Sequence, residues 1–256
     1  MSKYVIDLNC DMGEGFGMYR LGPDEEIMSY ISSANVACAY HAGDPHIMFQ
    51  TLKSAKENNV AVGAHVGLPD LEGFGRRKMA VSAEQARNYI IYQVGALLGF
   101  AQHAGLKLQH VKPHGALYVM AGEDRELSEV IVETIAGIDP ELIIFTQEAF
   151  VTYDVAVKKG VPVVKEFYGD RGTKEDGTLV FKFNYDEVGG SPQGMADRIV
   201  RVIKENKVTA VNGKEVSVVP DSVCIHSDTP MALDFFQAVK DAFAKENIEI
   251  KPVGKK

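Results

Sequence analysis

Four of the seven histidines stand where a short run of small and β-branched residues meets a turn. They are His41 in V-A-C-A-Y-H-A-G-D, His65 in V-A-V-G-A-H-V-G, His114 in H-V-K-P-H-G and His226 in V-C-I-H-S-D. Asp7, Asn9 and Asp11 alternate along the first apolar run, which places them on one face of a strand. Imidazole and carboxylate groups gathered in one place carry out general acid–base chemistry or bind a metal ion.

Cationic side chains occur in three similar contexts. Lys112 precedes a proline that favours extended backbone, and it is a candidate partner for the buried carboxylates, which need one. Arg76 and Arg77 follow glycines in G-F-G-R-R, a composition suited to closing over an anionic substrate. Asp170 and Arg171 follow another strand-like run in E-F-Y-G-D-R-G-T-K-E-D-G-T-L-V, whose glycines indicate a mobile lid.

The remaining histidines and the cysteines indicate no chemistry of their own. The histidines predicted to lie at the surface or at helix ends are His46, His103 and His110. The cysteines lie far apart in strand-like runs without C-x-x-C spacing, and we predict that they are buried small hydrophobic residues. They are Cys10, Cys38 and Cys224.

Several common catalytic motifs are missing from the sequence. It has no G-x-x-x-x-G-K-[ST] loop, no G-x-G-x-x-G after a strand, no G-x-S-x-G elbow and no H-E-x-x-H helix. The chemistry that remains is acid–base or metal-assisted attack on a carbonyl or a carbon–nitrogen bond.

The candidate residues can meet only if the fold gathers the ends of many strands. Strand-like runs alternate with helical patterns, which predicts parallel βαβ units. The carboxyl ends of barrel strands open on one face. We therefore predict the α/β class and one irregular barrel of the (β/α)7 type, forming a single domain over residues 1–256. The predicted strands are 4–9, 34–39, 60–65, 109–112, 142–146, 161–167 and 222–226.

Helix signals fit between these strands. Asp44 precedes a helix that begins with proline, Ser82 and Gln85 form a capping box, and Ser191 caps another helix that begins with proline. Residues 208–219 differ, because T-A-V-N-G-K-E-V-S-V contains the Asn-Gly turn of a two-residue hairpin. We expect this hairpin to lie outside the barrel.

Composition narrows the possible partners. The formal net charge of −8 and the sequence pI near 5.4 argue against nucleic acid, whose phosphates require a basic face. No apolar run approaches the roughly 20 residues of a membrane span, and the start M-S-K-Y-V-I-D lacks a signal-peptide pattern. We therefore predict a cytoplasmic protein with no membrane partner.

Several ordered motifs resemble the LamB/YcsF family over nearly the whole chain. The matching strings are D-L-N-C-D-M-G-E at 7–14, S-A-N-V-A-C-A-Y-H-A-G-D-P at 33–45, G-A-H-V-G-L-P-D at 63–70, F-G-R-R at 74–77, V-K-P-H-G-A-L-Y at 111–118, D-R-G at 170–172 and C-x-H-x-D at 224–228. The resemblance implies an irregular (β/α) barrel related to glycoside hydrolase and deacetylase folds. It also implies one component of a prokaryotic 5-oxoprolinase, which opens 5-oxoproline to L-glutamate with ATP as co-substrate and two further subunits as partners.

That implied reaction gives each candidate a role. Asp11 with His41 or His65 would activate water, and His114 would protonate the departing nitrogen. Lys112 with Arg171 would neutralise phosphate or oxyanion charge, with His226 at the same rim. The residues expected to hold the substrate are Asp7, Asn9, Arg76, Arg77, Asp170 and Asp228.

Two alternatives stay open on the sequence alone. Asp11, His41 and His65 could bind zinc or a similar divalent ion as in a metal-dependent, deacetylase-like amide hydrolase. The chain could instead be a non-catalytic assembly subunit, because it has no recognisable nucleotide-binding loop. The sequence does not decide whether ATP binds this chain or a partner.

Overall fold

The computed structural model describes residues 4–254. The strands in this part of the chain are β1 (Tyr4–Met12), β2 (Ser33–Ala37), β3 (Ala61–Val66), β4 (Leu108–Pro113), β5 (Ile143–Thr146), β6 (Val163–Tyr168), β7 (Lys207–Thr209), β8 (Glu215–Ser217), β9 (Ser222–Cys224) and β10 (Ile248–Ile250). The α-helices are α1 (Asp24–Ile27), α2 (Pro45–Glu57), α3 (Ala83–Ala104), α4 (Gly115–Glu123), α5 (Arg125–Ile138), α6 (Val151–Lys159), α7 (Pro192–Glu205) and α8 (Ala232–Glu246).

Seven parallel strands close into a barrel. Their order is β1–β2–β3–β4–β5–β6–β9, and β9 returns to pair with β1. The short strand β10 pairs with the first three residues of β1. This topology confirms the α/β class and the irregular seven-stranded barrel, and each predicted strand lies within three residues of its observed limits.

The helix starts follow the capping signals. The Asp44 carboxylate accepts hydrogen bonds from the first backbone amides of α2. Ser82 and Gln85 form the predicted capping box at α3, and the Ser191 hydroxyl accepts from the backbone of Gly194 at the start of α7. Each cap ends the loop that follows a barrel strand, so these caps fix where the site loops stop.

Residues 208–219 include an antiparallel pair, β7 with β8, in a separate two-stranded sheet. The predicted two-residue turn is wrong. The backbone amide of Ala210 donates to Lys214, and only Gly213 has a positive φ, at 84°, so three residues form the loop. The loop also binds the predicted lid, because the Val211 amide donates to the carbonyl of Thr173.

The barrel interior is polar, whereas the hydrophobic core surrounds it. Along β1, Leu8, Cys10 and Met12 belong to the apolar cluster between barrel and helices. The alternate residues turn inward, where Asn35 of β2 bonds the side chains of Asn9 and Asp11. Strand alternation therefore builds both the core and the floor of the site from one segment.

Residues 1–3 and 255–256 of the predicted domain lie outside the described residues. None of the helices in residues 4–254 is long and apolar enough to cross a membrane.

Candidate active site

A narrow cleft opens at the carboxyl ends of the barrel strands. Its wall is contributed by strand ends and the loops after them, as the barrel topology requires. The residues that line it are Asp11, His65, Arg76, Lys112, Pro113, His114, Gly115, Tyr118, Tyr168, Arg171, Leu179, Phe181 and His226.

Asp11 lies at the floor of the cleft and is almost fully buried. Its Oδ1 accepts hydrogen bonds from Asn35 Nδ2 at 2.8 Å and Lys112 Nζ at 3.1 Å. Its Oδ2 lies 3.2 Å from His65 Nε2 and 3.5 Å from His226 Nε2. Burial by itself would raise the pKa of Asp11, but His65 and Lys112 hold it well below its usual range. Asp11 is therefore a carboxylate at neutral pH.

Lys112 is a buried cation between two carboxylates. Its Nζ lies 2.8 Å from Glu166 Oε1 as well as 3.1 Å from Asp11, and Tyr118 donates to the other oxygen of Glu166. Burial would lower the pKa of Lys112, but Asp11, Cys224 and Glu166 raise it well above its ordinary value. The ammonium therefore remains charged at the base of the cleft.

Three histidines surround Glu14 beside this floor, and we call these four residues the histidine–glutamate cluster. Glu14 Oε1 lies 3.0 Å from His41 Nε2, 3.5 Å from His114 Nδ1 and 3.9 Å from His65 Nε2. The rings of His41 and His114 stack with centroids 3.7 Å apart. Burial lowers the pKa of both of these rings, and burial with the nearby Asp11 raises that of Glu14.

Backbone carbonyls hold two of these rings in place. His65 Nδ1 lies 3.0 Å from the carbonyl oxygen of Lys112, and His114 Nε2 lies 2.8 Å from that of Phe74. The inner nitrogens, His65 Nε2 and His114 Nδ1, are 2.8 Å apart. Both nitrogens of His114 are thus engaged, which differs from the free proton donor expected from the sequence.

His226 also lines the cleft, two residues after the end of β9. Its Nδ1 lies 3.0 Å from both carboxylate oxygens of Asp170, which also accepts from Arg171 at 2.8 Å. Burial would raise the pKa of Asp170, but Arg171 and His226 hold it well below its usual range. Asp170 therefore orients His226 and Arg171 and does not itself line the cleft, contrary to its predicted contact with substrate.

The two arginines of G-F-G-R-R point in different directions. Arg76 lines the cleft, donates to Asp228 at 2.7 Å and lies over the Phe74 ring. Arg77 is 60% exposed and pairs with Asp70, so its guanidinium is bound within its own loop. The expectation that both hold substrate is therefore wrong for Arg77, and Asp228 contributes by positioning Arg76.

Asp7 and Asn9 lie below the cleft and not in its wall. The Asp7 carboxylate accepts from the hydroxyls of Ser32, Ser33 and Ser222. Asn9 Oδ1 accepts hydrogen bonds from Asn35 Nδ2 at 2.8 Å and from Lys112 Nζ at 3.3 Å. Both side chains support the residues above them, so the predicted direct contact with substrate is wrong for this pair.

Sequence and structure comparisons agree on the relatives of this chain. Residues 6–256 match the profile of the LamB/YcsF family. The chain belongs to this family. A relative from Clostridium beijerinckii, named as a subunit of 5-oxoprolinase, is 48% identical over 252 residues, covering 98% of this chain and 99% of that protein.

Solved structures share the fold of this chain. The lactam utilization protein from Thermus thermophilus superposes with a TM-score of 0.91 at 40% identity, covering 97% of this chain and 99% of that one. A family 4 carbohydrate esterase from Streptomyces lividans reaches a TM-score of 0.52 at 10% identity, covering 99% of this chain and 95% of that one. The esterase likeness shows a shared fold alone.

Glu14 and Glu166 are acidic residues of the site that the sequence did not single out. Glu14 ends the motif D-L-N-C-D-M-G-E, but strand alternation from Asp11 aims it away from the barrel interior. Gly13, with φ of 70°, breaks that alternation and turns Glu14 inward. A signal for Glu166 is present, because a lysine buried beside Asp11 calls for additional carboxylate partners.

The prediction that His110 lies at the surface is wrong, because this residue is fully buried in β4. It alternates with Lys112 and His114, so all three turn into the barrel. Its ring stacks on Phe145 with centroids 4.3 Å apart, and burial lowers its pKa to about 3. The exposed positions of His46 and His103 agree with the prediction.

The three cysteines are free and fully buried, as predicted. Burial raises the pKa of each thiol above its ordinary value. Cys224 nevertheless reaches the site, because its sulfur lies 3.1 Å from Lys112 Nζ.

Proposed function

We propose that this chain is one component of a multi-subunit 5-oxoprolinase that opens 5-oxoproline to L-glutamate with ATP as co-substrate. The observation that carries the proposal is the convergence of Asp11, Lys112 and His226 at one cleft. The names of the 5-oxoprolinase and lactam-utilisation relatives support the substrate class. The first of these relatives is named as one subunit of an enzyme, which supports partner subunits for this chain. We take the partners to be the two further subunits expected for the family.

The substrate explains why the cleft needs both a base and cations. 5-Oxoproline is an unactivated five-membered lactam with a carboxylate. Transfer of a phosphoryl group from ATP to the lactam oxygen gives ADP and an activated carbon. Water then adds to that carbon, the carbon–nitrogen bond breaks as the nitrogen takes a proton, and an acyl phosphate of glutamate remains. A second water hydrolyses this acyl phosphate to the carboxylate and inorganic phosphate. A base must take a proton from water, and positive charge must stabilise the oxygens.

The side chains divide between these tasks by their contacts. His226 is the general base, because Asp170 holds Nδ1 and leaves Nε2 directed toward Asp11 in the cleft. Lys112 and Arg171 stabilise charge on the lactam and phosphoryl oxygens. Arg76, the partly exposed rim arginine, binds the substrate carboxylate.

The role expected for His41 changes with this assignment, and the phosphoryl transfer that the sequence left undecided is now assigned. His41 does not line the cleft and its Nε2 faces Glu14, so it is not the base that activates water. Activation by phosphoryl transfer is assigned to the partner subunits, since the sequence carries none of the usual nucleotide-binding loops.

The test combines the full chain with the two partner subunits and measures formation of ADP and glutamate that depends on 5-oxoproline. His226→Gln should lower the coupled rate by at least about 100-fold, as expected for loss of a general base. His103→Gln, the same substitution at an exposed histidine of α3, should leave the rate at the wild-type level.

Two results would contradict the proposal. One is a normal rate with His226→Gln, provided that circular dichroism shows a native fold. The other is ATP-independent ring opening by the isolated chain, which should have little or no activity without its partners. If neither the mixture nor the isolated chain turns over 5-oxoproline, the substrate assignment itself fails.

A further inference from the structure

The histidine–glutamate cluster presents four ligand atoms to one point. Glu14, His41, His65 and His114 are all at least nine-tenths buried, and the atoms they direct inward lie within 4.8 Å of one another. The proposed reaction assigns no step to this group. His65 and His114 also line the cleft, so the cluster lies in its wall without a role in that reaction.

The proton positions on two of the rings follow from their backbone partners. A carbonyl oxygen only accepts, so His65 carries its proton on Nδ1 and His114 on Nε2. In the neutral rings the inner nitrogens are then lone pairs, and they face each other at 2.8 Å. Two lone pairs at hydrogen-bond distance need a positive charge between them.

Apart from a second proton on His65, whose Nε2 also lies 3.2 Å from Asp11 Oδ2, the described residues supply no cation for this point. The ion pairs of Glu14 are formed with histidines only. Lys112 is engaged by Asp11 and Glu166, and Arg76 by Asp228. A shared proton would join only His65 and His114, whereas a divalent ion can reach all four ligand atoms.

The spacing of the ligand atoms fits such an ion. Zinc–nitrogen and zinc–oxygen bonds of about 2.0–2.2 Å place tetrahedral ligands about 3.3 Å apart. Within the cluster, the separations are 2.8 Å between His65 and His114 and 3.0, 3.5 and 3.9 Å from Glu14 to the histidines. Histidine ligands of zinc commonly donate their other ring proton to a backbone carbonyl, as His65 and His114 do.

Two glycines make room for the ligand rings. A Cβ on Gly67 would lie 2.5 Å from His41 Nδ1. A Cβ on Gly75 would lie 2.7 Å from His41 and 2.8 Å from His114. The stacked arrangement of these two rings therefore depends on backbone without side chains at both positions.

We infer that Glu14, His41, His65 and His114 form a binding site for one divalent transition-metal ion, with zinc the best match to three nitrogens and one oxygen. This set differs from the Asp11, His41 and His65 trio considered from the sequence.

A second group, formed by Asp11, Cys224 and His226, does not take the ion. Lys112 Nζ already lies 3.1 Å from both Asp11 Oδ1 and Cys224 Sγ, so an ammonium group occupies the position of a cation. His226 therefore offers a control that shares residue type and cleft but lies outside the proposed ligand set.

The experiment measures metal binding by the full chain without partner subunits. Metal content is determined by mass spectrometry, and the metal-free chain is titrated with Zn²⁺ against a chromogenic chelator and with Co²⁺ by visible absorption. The wild-type chain should bind one ion. Glu14→Gln and His41→Gln should each weaken Zn²⁺ binding by more than the roughly 10–100-fold that loss of an outer partner costs. His226→Gln should bind Zn²⁺ as the wild type does.

Circular dichroism before titration separates loss of a ligand from loss of the fold, and Glu14→Gln preserves the shape of the side chain. The inference is overturned if the folded wild type binds neither Zn²⁺ nor Co²⁺ in stoichiometric amount. It is also overturned if His226→Gln loses the ion while His41→Gln keeps it. Because no substrate or partner enters the assay, failure here leaves the 5-oxoprolinase proposal untouched.

Discussion

The two ends of the barrel interior treat buried polar groups in opposite ways. At the amino end, Asp7 is surrounded by hydroxyl groups of Ser32, Ser33 and Ser222. At the carboxyl end, Asp11 faces the ammonium of Lys112 and the histidines. Both aspartates come from the same face of β1, four residues apart.

The difference separates structural from chemical use of the same residue type. Burial raises the pKa of Asp7 to about 6, although the serine hydroxyls oppose that shift. Cations hold the pKa of Asp11 well below its ordinary value. A carboxyl group supported by neutral donors closes the barrel, whereas a carboxylate paired with cations can take part in proton transfer and charge stabilisation.

The largest effect is expected from removing the Lys112 ammonium at the carboxyl end of the barrel. Lys112→Met leaves Asp11 and Glu166 buried without their partner, which should lower the free energy of unfolding by about 3–5 kcal/mol. The coupled 5-oxoproline rate should fall by at least about 100-fold. Urea denaturation and the ADP assay measure the two effects.

The matched control for Lys112 is Lys204→Met, which removes a surface lysine paired with Glu246 and should change neither quantity measurably. Adding Glu166→Gln to Lys112→Met should restore part of the stability but none of the activity. Equal stability of Lys112→Met and the wild type would show that the buried ion pairs at the carboxyl end of the barrel do not contribute to the stability of the fold.

The next largest effect concerns Asp7, at the amino end of the barrel, and depends on pH. Because the folded chain holds the Asp7 proton up to a pKa of about 6, against an ordinary value of 3.8, this group's contribution to stability falls as pH rises from about 4 through about 6. Asp7→Asn has no such proton. The free energy of unfolding of the variant, relative to that of the wild type, should therefore rise by up to about 3 kcal/mol as the pH increases from 4 to 7.

Urea denaturation of both proteins across this range measures the difference in unfolding free energy for Asp7→Asn. At saturating substrate, the coupled rate of Asp7→Asn should differ little from that of the wild type across this pH range, since Asp7 does not line the cleft. A difference in stability that stays constant with pH would mean that Asp7 is ionised in the folded chain, like Asp11.

The smallest expected effect tests how tightly the histidine–glutamate cluster is packed. Gly75→Ala and Gly160→Ala both place alanine at a positive φ, 62° and 69°, which costs roughly 1–2 kcal/mol in each case. Only the Cβ at Gly75 meets other atoms, those of His41 and His114. Gly75→Ala should therefore be less stable than Gly160→Ala by roughly a further 1–3 kcal/mol.

Thermal unfolding at one pH is sufficient to compare these two glycine variants. Gly75→Ala should also weaken Zn²⁺ binding, whereas Gly160→Ala, at the end of α6, should not. Equal stabilities would show that the stacked rings can move apart without cost.

Much of the fold could be predicted because its signals are local. The alternation of strands and helices, the caps at Asp44, Ser82 and Ser191, and the strand-end histidines each depend on a few neighbouring residues. His41, His65, His114 and His226 do lie at one end of the barrel, as strand polarity requires.

The partners of side chains in the loops were harder to predict. Arg77 and Arg76 are adjacent in sequence, yet one binds Asp70 in its own loop and the other reaches the cleft. Asp70 precedes Arg77 by seven residues, and nothing in the local pattern ranks it above a substrate carboxylate as a partner. Loop conformation decided between them.

The sequence by itself determined the family, the order of the elements and the strand ends that carry chemistry, because propensity, capping and alternation act over short stretches of chain. Only the tertiary structure decided that Glu14 joins the histidines, that Glu166 pairs with Lys112 and that Asp7 lies below the cleft. Those contacts join residues from different strands and loops. They depend on closure of the barrel, strand register and the positive φ of Gly13, which bring together groups that the chain keeps far apart.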